Sequence, residues 1–244
     1  MRRPAAVFTI ALTLGAMILA PWVTAQAQDA REEGPREIEK CQTIDKPGSY
    51  KLVNNLTFSA TTGACLPITA SFVTIDLAGF TMTGNGIATE AIVATPPSGQ
   101  VLDGIAVRNG SISGFAGGVD LVRGDSSVVE GLRVFGSVPS TLGIGANGIV
   151  KGNIVERVAG PAGARGVGIF ATGIVTGNSI ASQIGMEIGQ GSTVIGNSVR
   201  AGPFPAVTVT CPSNLTDNTF LNIAGGETLG LIGDGCHSED NVAP

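Results

Sequence analysis

From residue 77 onward one short pattern recurs: an apolar residue, small or polar residues at the centre, and a second apolar residue five places after the first. The copies read LAGFTM at 77–82, VRNGSI at 107–112, VEGLRV at 129–134, VKGNIV at 150–155, VTGNSI at 175–180, VIGNSV at 194–199 and LTDNTF at 215–220. Their fourth residues are Phe80, Gly110, Leu132, Asn153, Asn178, Asn197 and Asn218, at spacings of 30, 22, 21, 25, 19 and 21. Between them lie short runs of alternating apolar residues bracketed by glycine: GVDLVRG, GVGIFATG, GMEIGQG and AVTVTCP. Short strands that return to one motif at a near-constant interval predict a solenoid. A sandwich is built from hairpins, which have no reason to keep returning to one motif. A helical array needs a sustained helical apolar period, which is missing, and each glycine would cost roughly 1 kcal/mol in a helix interior.

The expected unit is a coil of 19 to 25 residues that turns three times and stacks on the next at about 4.8 Å by parallel pairing. Val175, Ile180, Met186 and Ile188 are expected inside, stacked on Val194, Val199, Val207 and Val209 of the following coil. The asparagines are expected at a tight turn. Asparagine tolerates a left-handed backbone, and its amide can bond the amide one coil above.

Composition agrees with this reading and removes other classes. The chain holds 36 glycines, 5% aromatic residues and 14% charged residues, against about 25% charged in an ordinary domain. With a net charge of −5 and no basic patch, nucleic acid is excluded as a partner. Arg2 and Arg3, the apolar stretch from Ala5 to Ala20, and Ala25-Gln26-Ala27 predict a signal peptide over residues 1–27. No later segment is long and apolar enough to span a membrane. The export signal implies a secreted or periplasmic protein. Residues 28–40, rich in both charge signs, are expected as a polar linker, 41–236 as the solenoid and 237–244 as a C-terminal tail.

Four cysteines in an exported chain imply two disulfides, with three possible connectivities. The local pairing, Cys41 with Cys65 and Cys211 with Cys236, is expected. Zinc ligation is disfavoured, because there is no C-x-x-C pair and a single histidine.

The stretch from Cys41 to Leu56 (CQTIDKPGSYKLVNNL) and that from Ile68 to Gly84 (ITASFVTIDLAGFTMTG) resemble the opening of secreted right-handed parallel β-helix proteins of the pectate-lyase-like superfamily. The G-N-x-[IV] segments are similar to that fold's asparagine-ladder turn. The resemblance implies an all-β fold, a single-stranded right-handed parallel β-helix (solenoid) of about seven coils. It is weakly specific for function, since the architecture hosts lyases, hydrolases, esterases and adhesins.

The N-T-D, D-D, G-H-G and R-I-K segments of the polygalacturonan hydrolases with this fold are absent. In the lyases the groove lies along the first strand of each coil, where the resemblance puts Asp120, Gly145, Gly168, Phe170, Glu187, Thr208 and Thr210 facing outward. Asp120, Phe170, Glu187 and Thr208 are the candidate substrate-binding residues. Asp120 and Glu187 would lie three coils and roughly 14 Å apart, beyond the roughly 5–9.5 Å of a glycosidase pair. They do not make a calcium site, which needs six to eight converging oxygens, and no metal or cofactor is implied.

Arg108, Glu130 and Lys151 are the second residues of three consecutive motif copies and should stack as a column of alternating charge, with Arg133, Glu156 and Arg157 close by. They are the candidate catalytic set, as base, acid and charge stabiliser for an acidic sugar. The same column is also what a salt-bridged ladder on a solvent face looks like. His237, beside Cys236, is expected to cap the end of the fold. Three functional readings fit: a non-catalytic exported β-helix that binds polysaccharide or has a structural or surface role, a lyase or hydrolase of acidic glycans, and an adhesin-like interaction module. The missing motifs and the lack of a carboxylate pair favour the first. Oligomeric state has no signature in the sequence.

Overall fold

The computed structural model describes residues 34–87, 89–136, 140–162 and 164–243. The expected signal peptide lies outside them. Residues 34–243 form one all-β body, with every strand pairing parallel. Among the described residues no helix is long and apolar enough to cross a membrane.

Each coil contributes strands to three faces. In one coil, Val167–Thr176 supplies the first and second faces and Ser179–Ser182 the third. In the next, the three are Ile184–Ile188, Thr193–Ile195 and Ser198–Ala201, paired with their predecessors in register. The first face has eight rungs, from Ala64–Ile68 to Leu229–Ile232. The solenoid therefore has about eight turns, one more than the motif copies indicate.

The core is columnar. Val107, Val129, Val150, Val175, Val194 and Leu215 are successive rungs of the second face, and all are fully buried. Ile144, Ile169, Met186 and Val207 form the matching column on the first face, and Val134, Val155, Ile180 and Val199 on the third. The pairs Val175–Val194, Ile180–Val199, Met186–Val207 and Ile188–Val209 stack as expected. Branched aliphatic side chains suit a strand buried on its inner side, and stacking identical shapes leaves no gap for a ring. The first and third faces touch along Gly118, Gly143, Gly168 and Gly185: a Cβ at Gly168 would lie 2.6 Å from the Ile180 side chain and 2.7 Å from the Gly185 carbonyl. Gly168 therefore faces inward. The outward groove position assigned to it was wrong, because a local irregularity puts both Gly168 and Ile169 inside before Phe170 turns out.

The second and third faces meet at the asparagine turn. Asn153, Asn178, Asn197 and Asn218 are buried. The Oδ1 of each accepts from the backbone N–H one coil earlier: Leu132 to Asn153 at 2.9 Å, Asn153 to Asn178 at 2.9 Å, Asn178 to Asn197 at 3.0 Å and Asn197 to Asn218 at 2.9 Å. Each Nδ2 donates to the carbonyl of Val129, Val150, Val175 or Val194 in the earlier coil, and also to the next asparagine's Oδ1. The left-handed position falls on the residue before asparagine: Gly152, Gly177 and Gly196 at φ 63°, and Asp217 at φ 56°. Glycine supplies the reversal and asparagine the cross-links, which corrects the expectation that asparagine itself would be left-handed.

Both ends of the fold extend past the expected boundaries. Arg36–Ile38 pairs with Gly48–Leu52, and Ile38 is fully buried, so the polar linker stops short of residue 40. At the other end His237–Glu239 pairs with Asn214–Thr216, and Asn241 Oδ1 accepts from Asn218 N at 3.0 Å as a fifth ladder rung. Residues 237–243 complete a coil instead of trailing as a tail. The cysteines pair 41 with 65 and 211 with 236, at sequence separations of 24 and 25. Each separation is one coil, so each disulfide staples a terminal coil to its neighbour, as suits an oxidising compartment.

Asn197→Ala removes the acceptor for Asn178 N–H and the donor to Val175 C=O, both buried. Each orphaned group costs about 1–3 kcal/mol, so equilibrium unfolding should show a loss of roughly 2–4 kcal/mol. A loss under about 1 kcal/mol would mean that the ladder follows the fold without holding it.

Candidate functional site

The outward column of the first face runs Pro67, Val93, Asp120, Gly145, Phe170, Glu187, Thr208, Gly230 in successive coils. Phe170, Glu187 and Thr208, three of the four residues expected to bind substrate, are adjacent rungs. They line one cavity of about 390 Å³ together with Arg165, Thr210 and Ile232. Phe170 is 40% exposed, whereas Gly145 on the rung before it is buried, its outer side occupied by the Leu142 and Val122 side chains. Asp120 lies two rungs away, outside this cavity, and its Oδ1 accepts from Val122 N at 3.1 Å in a local turn.

Asp120 instead belongs with a residue that sequence reasoning missed. Glu90 starts its first-face strand one coil earlier and is half-buried beside Thr89, Ala116, Gly117 and Thr141 in a cavity of about 280 Å³. Burial raises the Glu90 carboxyl above its ordinary value of 4.5; the Asp120 carboxylate adds to the rise and Arg123 opposes it. The segment TEAIVA carries no G-N motif. Its signal was a lone acid opening an apolar run.

Arg108, Glu130 and Lys151 do stack as successive rungs, on the second face. The column is longer than expected: Glu37, Lys51, Asp76, Arg108, Glu130 and Lys151 alternate in sign over six coils. Arg108 Nε lies 3.3 Å from Asp76 Oδ2, while Glu130 and Lys151 flank a shallow hollow of about 350 Å³. In parallel in-register pairing, like charges would repel at every rung, so alternation itself accounts for the column. Arg133 and Glu156 lie on the third face, beyond the asparagine turn, and Arg157 at its end, so none joins that set. His237 is exposed on the last second-face strand, its Nε2 3.3 Å from Glu239 Oε2. Phe204 lies under the Arg165 guanidinium, 4.9 Å from its carbon to the ring centre. Among the described residues no group of three or more His, Cys, Asp or Glu side chains is placed to hold a metal ion.

The raised Glu90 carboxyl fixes the sign of a pH effect. Below about pH 4 the group is protonated both folded and unfolded and contributes nothing. As pH rises through the ordinary value the unfolded chain ionises first, so folding loses stability until the folded carboxyl ionises as well, after which the penalty is constant. Glu90→Gln should therefore raise Tm near pH 7 and leave it unchanged near pH 3. An equal change at both pH values would contradict a charge effect.

Neither the protein-family models nor the curated proteins nor the solved structures contain a match to this chain.

Proposed function

We propose that the protein is an exported, non-catalytic β-helix that binds a polysaccharide laid along its first face. The observation that carries this reading is the cavity where Phe170, Glu187 and Thr208 stand on consecutive rungs with Arg165 and Thr210 at its edge. A sugar presents an apolar C–H face and a rim of hydroxyls. An exposed ring beside a carboxylate, a guanidinium and two threonine hydroxyls matches both. Arg165 and Glu187 carry opposite signs, which favours a neutral or weakly acidic glycan over a polyanion. The resemblance to pectate-lyase-like β-helices and the two disulfides point the same way.

A second reading, hydrolysis of the bound chain, is favoured by Glu90 alone: a half-buried carboxyl with a raised pKa on the same face is suited to donate a proton. A lyase reading has less support, because the Arg108, Glu130 and Lys151 set is on another face and Arg108 is engaged by Asp76.

Affinity electrophoresis and calorimetry against neutral and acidic polysaccharides, with reducing-end and unsaturated-uronate assays in parallel, separate these readings. Binding without product, weakened about tenfold by Phe170→Ala, is expected. Binding indifferent to Phe170→Ala, or no binding to any glycan, overturns the proposal. Release of reducing ends that stops in Glu90→Gln would establish the second reading in its place.

A further inference from the structure

A separate cavity of about 340 Å³ opens where the third face turns back toward the first. It exists because of one small residue. In the outward column Glu156, Ala181, Arg200, Leu221, the alanine stands between longer side chains and leaves a notch one rung deep. Val158, Ala201 and Pro203 help form its apolar walls, and Ile223, 56% exposed, stands open to solvent at its rim.

Two arginines flank this apolar notch. Arg157 and Arg200 are both exposed, and among the described residues neither has an ion-pair partner within 4.0 Å, Glu156 included. The frame is rigid. Arg157 is held at φ 59°, a left-handed conformation that a non-glycine residue keeps only where its surroundings fix it, and its N–H donates to Ala181 O at 2.8 Å. Gln183 Oε1 accepts from Gly160 N at 3.0 Å and Gly166 N at 2.8 Å, pinning the neighbouring loop.

We infer that this notch is a binding site for an organic monocarboxylate with a compact apolar body, the body on Ala181 and Ile223 and the carboxylate between Arg157 and Arg200. Guanidinium groups bind carboxylates through paired charge-assisted N–H donors, and a cavity of this size suits a small ligand. Two arginines and Glu156 leave one net positive charge, which selects a monoanion. A ligand here spans the ends of neighbouring coils and is independent of the first-face groove.

The test is calorimetric titration of the intact protein with hexanoate and benzoate, alongside acetate, benzyl alcohol and hexanol. Hexanoate and benzoate should saturate one site; Arg157→Ala and Arg200→Ala should each weaken them about tenfold, and the alcohols should bind about tenfold more weakly. Ala181→Leu fills an outward notch, so it should abolish binding with Tm unchanged, while Phe170→Ala should leave binding as it was. Acetate binding as tightly as hexanoate would reduce the site to a surface anion patch. Alcohols binding equally, or binding that survives Ala181→Leu, would likewise overturn the inference.

Discussion

The whole fold depends on holding successive coils in one register, and from the coil of Leu132 to the C-terminal end the buried asparagine amides are the interaction that does so. Backbone pairing alone tolerates a shift, because every rung of a parallel sheet offers the same donors and acceptors. The asparagine turn does not. Each amide joins a backbone N–H and a carbonyl of the coil before it to the amide of the coil after it. A coil displaced by one residue would bury these groups unpaired and turn its aliphatic residues outward.

Register fixed in this way determines the surface as much as the core. Every outward residue has a defined neighbour above and below, so side chains remote in sequence form columns. Six alternating charges on the second face, the Phe170, Glu187 and Thr208 series on the first, and the Ala181 notch on the third all arise by this route. A cavity forms where a small residue falls between larger ones in its column, as Ala181 does beneath Arg200. The turn motif is scaffold, and the faces between the turns carry whatever binding the protein has.

The central coils were legible in the sequence because they carry the motif in full: from Asn153 to Asn218 the spacing alone gives the stacking partners. Legibility fails where another residue does the same job. Leu132 and Gly110 occupy the ladder position without an amide, and Asn241 lies in SEDNVA, which opens on Ser238 where the other copies have an apolar residue, although its distance of 23 residues from Asn218 fits the coil interval. Arg36–Ile38 reads as linker because charged residues surround the single buried Ile38. Gly168 was misplaced since strict alternation cannot see a local irregularity. The candidate binding residues were partly legible: periodicity put Phe170, Glu187 and Thr208 in line. Glu90 and the Arg157–Arg200 notch were not, because their neighbours come from loops and columns that only the folded coil brings together.

Hydrogen exchange at the backbone amides of Asn178 and Asn197 tests the role of the ladder most directly. Their N–H groups donate to the side chains of Asn197 and Asn218 and to no backbone carbonyl, so their protection reports the ladder itself. If the amides pin the coils, these two protons exchange only on global unfolding, with protection matching the full unfolding free energy. Exchange as fast as that of the exposed turn at 224–226, with the valine columns still protected, would contradict it.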